Sequence, residues 1–305
     1  MYSFTKEIGG LIFLPFPMQK SPVVIRVGGV PEHFNLPWRL ALEGGLFEKK
    51  GLDVRYQDYP GGTGALTQAL REGSLDVAVV LTEGIVANIL AGNTHRIVKV
   101  YVGSPLVWGI HVPAGSDILT EADLPGRRVV ISRRGSGSHL MALVHAAQKG
   151  HTLSDGQFEV AGNLDGAREA MKQGRGEVFF WERYMTQPLV TSGEFRRVGE
   201  LVAPWPSFVI AARKESIIQY PDALREMLEL VDYQAERIMN NPAAAGIVAG
   251  RYGLDRGQAA EWLAITRWNM NFDEPAEALA SVIAALQQVG LVQQLPTDSL
   301  WAELS

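Results

Sequence analysis

The sequence predicts an α/β protein of two lobes with a helical tail, and three observations lead there. The chain has 305 residues, about twice the length of a usual domain. Short apolar runs that stop at glycine-rich turns alternate with helical periodicities, the pattern of a mainly parallel sheet. Beyond residue 213 the periodicity is almost wholly helical.

The run VVIRV at 23–27 is the first strand, continuously apolar as a sheet covered on both faces requires, and it stops at Gly28-Gly29. Pro37 opens a helix along which Trp38, Leu42, Leu46 and Phe47 recur, and Lys49-Lys50-Gly51 supplies cations and a glycine at its end. Residues 52–56 read as a strand and Gly61-Gly62-Thr63-Gly64 as a tight turn, with Thr63 capping a helix that runs to Arg71. A buried strand is expected over 76–81, then Thr82 as cap of a helix over 83–90, then separate strands at 95–102 and 106–112. The second unit repeats the alternation, with strands at 127–131, 158–160 and 177–180 and helices at 139–148, 165–173 and 182–190. One more strand at 208–212 precedes helices at 221–239, 242–249, 256–268 and 274–288. If 106–112 and 208–212 lie side by side as a hinge, lobe 2 (113–207) is inserted between the halves of lobe 1 (23–112 and 208–305). Residues 1–22 are then an N-terminal extension.

Composition removes several function classes. Lys+Arg 28 against Asp+Glu 33 gives −5, a poor balance for neutralising phosphates, so no nucleic-acid partner is expected. The absence of cysteine excludes disulfides, thiolate metal sites and a cysteine nucleophile. The six histidines show neither HxxxH nor HExxH spacing, so no metal site is expected. No cofactor is called for, no GxSxG elbow or kinase signature set occurs, and no apolar run is long enough for membrane insertion. The apolar stretch at 9–18 is broken by Pro15 and Pro17, follows Glu7 and precedes no small-x-small cleavage site. The cytoplasm is therefore the expected location, with the periplasm, and a transporter as partner, as the alternative.

Chemistry concentrates where strands end. GSGSH at 135–139 links a strand to a helix: Ser136, Gly137, Ser138 and His139 fit an anion cradle and, equally, a simple cap. Gly62 and Thr63 lie in a turn that lacks the Lys-Ser/Thr ending of a P-loop, so the turn fits either a small ligand or a plain connection. Thr82, Glu83 and Gly84 sit at a third strand end, where ligands of open α/β sheets bind; Glu83 fits an amine or merely the helix dipole. Glu32, His33 and Phe34 crowd the loop after the first strand. Trp181 and Glu182 end another strand, and Trp205 precedes 208–212; they read as aromatic walls and an acceptor, or as ordinary core.

The order and spacing of ALEGGLFEKKG (41–51), YPGGTGALTQAL, DVAVVLTEG, DLPGRRVV (123–130), GSGSH and FFWERY resemble the SsuA/TauA/ThiY-like solute-binding proteins, a superfamily that also holds the thiamine-pyrimidine synthases. Within it the chain resembles the cytosolic, signal-less relatives more than the exported ones. One departure is Arg183, where those proteins commonly carry proline after the acid. The resemblance implies a type II periplasmic-binding-protein fold with the ligand in a cleft between lobes joined by two hinge crossings. It implies a small-molecule ligand such as a thiamine-precursor pyrimidine, a phosphorylated cofactor or a sulfonate. The synthases' cysteine-rich iron motif is missing, so their chemistry does not transfer. An enzyme on the same fold, pyrimidine-synthase-like or a lyase using His33, His139 and the glutamates, is the alternative.

Overall fold

The computed structural model describes residues 22–293 and 298–304; the expected N-terminal extension thus lies, up to residue 21, outside the described residues. Eight strands form one sheet: β1 (Val23–Gly29), β2 (Leu52–Asp58), β3 (Val77–Leu81), β4 (Arg96–Pro113), β5 (Val129–Ile131), β6 (Phe158–Val160), β7 (Val178–Glu182) and β8 (Phe195–Ala212). Their order is β2-β1-β3-β8-β4-β7-β5-β6. β1 pairs in parallel with β2 and β3, and β5 with β6 and β7, while β4 and β8 run antiparallel to each other and to β7 and β3 respectively. The same five-strand plan is thus built twice, and the two long strands serve both copies.

The helices of the first lobe's leading half are α1 (Leu36–Glu43), α2 (Gly62–Glu72) and α3 (Thr82–Leu90). Those of the second are α4 (Gly137–Gln148), α5 (Leu164–Lys172) and α6 (Gln187–Thr191). After β8 come α7 (Lys214–Gln219), α8 (Pro221–Met239), α9 (Ala244–Tyr252), α10 (Arg256–Ile265) and α11 (Ala276–Gln288). Most of the expected elements appear within a few residues of their expected ends. The tail helices pack back on the first lobe. Lys99 of β4 is buried against Asp232 of α8 at 3.0 Å and donates to Asn271 O at 2.7 Å. Trp262 and Trp268 are core residues, and the Trp268 indole donates to Phe34 O at 3.1 Å.

Three expectations are corrected. The strands expected at 95–102 and 106–112 are one, β4, whose register against β8 slips between Val102, Pro105 and Val107. The expected hinge partners do not pair with each other: Val107 to Pro113 face Val202 to Phe195, and Phe208 to Ala212 face Val102 to Arg96. The first half of β8 escapes sequence reading because Pro204 and Pro206 argue against a strand. It is tolerated because that half lies at the edge of the second lobe's strands, where donors are not all required. Finally, the helix expected at 182–190 is mostly turn, and only Gln187–Thr191 is helical.

Candidate functional site

The chain crosses between lobes where Pro105 faces Pro206, two residues without an N–H to donate. Side chains stitch this level instead. The Ser207 hydroxyl donates to Ser104 O, and Thr82 Oγ1 donates to Pro206 O at 2.6 Å. Beside the crossing lies a cavity of about 70 Å³, walled by the strand ends of both lobes.

From the first lobe come Glu32, Gly62, Thr63 and the apolar Val79 and Leu81. Gly62 has φ +66°, a conformation that costs glycine little, and it lets the turn enter α2 facing the cavity. Thr63 does not cap α2: Gly61 takes the cap position, and Thr63 Oγ1 accepts from Leu81 N at 3.0 Å. The Glu32 carboxyl makes no side-chain hydrogen bond among the described residues, and burial, followed by the nearby Glu182 charge, pushes it up to about 8.

From the second lobe come Ser132, Arg133, Ser136, Gly137, Ser138, Trp181, Glu182 and, on the crossing strand, Trp108. Ser136 is the N-cap of α4, accepting from His139 N at 3.4 Å, and Leu140 N reaches Ser136 O at 2.9 Å. The first four amides of a helix have no partner within it, so the Gly137 and Ser138 amides are left as donors. Ser138 Oγ accepts from Ser132 N at 3.0 Å and lies 3.0 Å from Ser136 Oγ, so both buried hydroxyls are held at the helix start. Capping and an anion cradle are here one geometry. A Cβ on Gly137 would fall 2.6 Å from the Trp108 ring and 2.8 Å from Leu81, which is why α4 approaches the crossing strand this closely.

Glu182 Oε2 accepts from Met185 N at 2.6 Å, yet burial outweighs this and lifts the carboxyl to about 7. Trp181 is backed by Phe179, ring centroids 5.1 Å apart and nearly parallel. His33 lies behind the cavity wall, packed on Phe34 and Trp262, with neither ring nitrogen hydrogen-bonded among the described residues. Burial lowers its pKa to about 3, so it is neutral, and its Nε2 stands 4.0 Å from Glu182 Oε2 across the seam between lobes.

Several expected site residues do not line the cavity. Phe34 is core, its ring against Phe208 and its carbonyl accepting from Tyr101 and Trp268. Thr82 is spent on the crossing, and Leu81 takes the cap position of α3. Glu83 accepts from the Trp205 indole at 2.9 Å, and this buried pair sits away from the cavity. Gly84 makes room for Thr63, whose Cγ2 would lie 2.6 Å from an added Cβ. His139 is buried away from the cavity: its Nδ1 accepts from Gly135 N at 3.0 Å and its ring packs edge-on against Phe158. Conversely, Trp108, Leu106, Phe208 and Met185 line the cavity although no motif marks them. The only available signal was the alternation of Leu106 and Trp108 on one face of a strand.

Comparison with known structures decides the fold. The CA3427 gene product of Candida albicans, described as exhibiting the generic periplasmic binding protein fold, superposes with a TM-score of 0.83 at 24% identity, covering 90% of this chain and 92% of that one. The chain has the type II periplasmic-binding-protein fold. SsuA of Xanthomonas axonopodis pv. citri, an alkanesulfonate-binding protein bound to MOPS, matches with TM-score 0.79 at 17% identity over 93% of this chain and 99% of that one. The aliphatic sulphonate binding protein SsuA of Escherichia coli matches with TM-score 0.68 at 22% identity over 90% and 95%. A family model for Ca3427-like periplasmic binding proteins matches residues 108–201, essentially the second lobe. No curated protein matches the sequence. In this fold the cavity is the interlobe cleft. Among the described residues no helix is long and apolar enough to cross a membrane, and no cluster of three or more His, Asp or Glu side chains suits a metal.

Proposed function

We propose that this protein binds a small solute with an anionic head in the interlobe cleft and releases it unchanged. The observation that carries the reading is the start of α4: two buried hydroxyls and two unpaired amides at the positive end of a twelve-residue helix, in the cavity wall. The start of α2 faces the same cavity from the other lobe. Sulfonate or phosphate suits the donors, and the sulfonates named for the SsuA neighbours support that class. Trp181 offers a wall for a planar portion such as a pyrimidine, and Glu32 and Glu182 accept from or donate to its polar substituents. In this reading the lobes part about the crossing, where Pro105 and Pro206 leave the two strands without backbone donors. The expected setting is the cytoplasm, as a carrier or sensor; a transporter is the partner if the chain is exported.

Native mass spectrometry of the protein purified without added ligand, beside a denatured spectrum, identifies what the cleft holds. A noncovalent excess that disappears on denaturation supports a binder. The Ser136→Ala/Ser138→Ala double variant is then expected to bind that ligand at least tenfold more weakly by calorimetry at a temperature where circular dichroism shows it folded, with a melting temperature lowered by the lost cap; equal affinity removes the anion assignment. One observation favours a second reading, an enzyme. Carboxyls held near 7 and 8 beside a neutral imidazole can exchange protons at neutral pH. Conversion of the bound ligand during incubation, lost in Glu182→Gln, would establish it.

A further inference from the structure

We propose that Arg133 is the residue that makes the cleft select for negative charge, and that the bare Gly64 is its seat. The inference rests on the anion reading above and adds the group that sets charge specificity. Arg133 follows β5 in the second lobe and lines the cavity. Its guanidinium crosses to the first lobe, where Nη1 donates to Gly61 O. It lies over Gly64 so closely that a Cβ there would fall 1.8 Å from Nε and 2.2 Å from Cζ. Ala in place of Gly favours a helix at such a position, yet here the space is already filled by the arginine.

No carboxylate among the described residues forms an ion pair with Arg133. Its neighbour Arg134, by contrast, pairs with Asp155 at 2.6 Å. Burial alone lowers the Arg133 pKa, and no acidic group acts against it. A guanidinium cannot shed its proton at working pH, so one partly buried in a cleft wall favours a counter-charge beside it. The carboxyls that share the cavity do not supply it, since Glu32 and Glu182 are held protonated toward neutral pH by burial. A second donor points the same way: Trp108, 3% exposed, lines the cavity and its indole Nε1 has no partner among the described residues. A ligand oxyanion meeting the α4 amides also meets Arg133, and the guanidinium already bridges to the opposite lobe. Binding of the anion and closure of the lobes are then coupled through one side chain.

The test uses the full chain with MOPS, methanesulfonate, inorganic sulfate and inorganic phosphate as probes, followed by calorimetry in a cationic buffer. Wild type is expected to bind at least one of them, with affinity that weakens as salt is raised. Arg133→Gln is expected to lose at least tenfold in affinity and most of that salt dependence. Arg133→Lys, which keeps the charge but not the planar fork, should recover part of the loss. Gly64→Ala keeps the charge and blocks its seat, so it should weaken binding at least threefold. Circular dichroism and the melting temperature of each variant confirm that it is folded. If wild type binds and Arg133→Gln binds within twofold of it, the role of Arg133 is overturned while the anion cleft stands. If wild type binds none of the anions, both readings fall. If Gly64→Ala binds as wild type does, the seat is overturned.

Discussion

The two lobes repeat one plan, and the glutamates beside their corresponding strand ends have opposite fates. Glu83 follows the third strand of the first lobe and Glu182 ends the corresponding strand of the second. Burial lifts both carboxyls to about 7. Yet Glu182 lines the cleft, whereas Glu83 is locked to the Trp205 indole with its other oxygen unpartnered among the described residues. The difference lies in how the chain leaves each strand. After β3 the helix α3 begins at once, which rolls Glu83 into its first turn beneath the crossing strand. After β7 a turn intervenes before α6, and Met185 N holds the Glu182 carboxyl at the mouth of the cleft. The first strands diverge as well: β1 leads to an acid, Glu32, and β5 to the hydroxyls, amides and guanidinium of residues 132–138. The first strand of one lobe thus leads to a protonated acid in the cleft, and that of the other to the donors for an anion.

The sharpest way to break this comparison is at Trp205. Trp205→Phe leaves the Glu83 carboxyl buried without a donor and opens space beside it, so a destabilisation on the order of 3 kcal/mol is expected by chemical denaturation. A change under about 0.5 kcal/mol would show that the Glu83–Trp205 pair is not the structural lock of the first lobe. Next in size is Gly84→Ala, which presses a methyl on Thr63 and should cost about 1–3 kcal/mol by overpacking.

A smaller effect concerns pH. Glu32 titrates near 4.5 in the unfolded chain and about 8 in the folded one, so between these values the native state holds the extra proton. Stability therefore falls as pH rises through that window and levels off above about 8. The buried His33, lowered to about 3, acts in the opposite sense between about 3 and 6.5. In Glu32→Gln the histidine contribution remains, so the difference between the two melting curves isolates the acid. The variant is expected to lose less stability than wild type from pH 5 to 8.5; parallel curves would refute the protonated state of Glu32. The smallest expected effect is on binding by Glu83→Gln. Once the ligand is known, its affinity should change by less than twofold, while Glu182→Gln changes it measurably.

Much of this was legible along the chain. Strands such as VVIRV and VAVVL, the glycine turns at 61–64 and 135–137, and the tail helices are set by local steric and periodic rules, and those rules operate within a few residues. The α4 start was legible for the same reason, since capping and amide exposure both follow from where a helix begins. What stayed hidden depends on partners far away in sequence. That Thr82 serves Pro206 and Glu83 serves Trp205 is decided across more than a hundred residues, and no local pattern at 82–84 carries it. His139, which looked like part of the cradle, combines both ranges: its Nδ1 accepts from nearby Gly135 N, and its ring packs against Phe158 of the next strand.

The sequence by itself determined the alternation of strand and helix, the classes of chemistry excluded by charge and absent cysteine, and the turns at which a ligand could be met. Only the tertiary structure decided that two broken apolar stretches are single long strands shared by both lobes. It also decided which of the two strand-end glutamates faces the cleft, and that Arg133 lies over Gly64 without a counter-ion among the described residues. The reason is physical: backbone preferences are settled by nearest neighbours, while burial and the pairing of charges are settled by whatever the fold brings alongside.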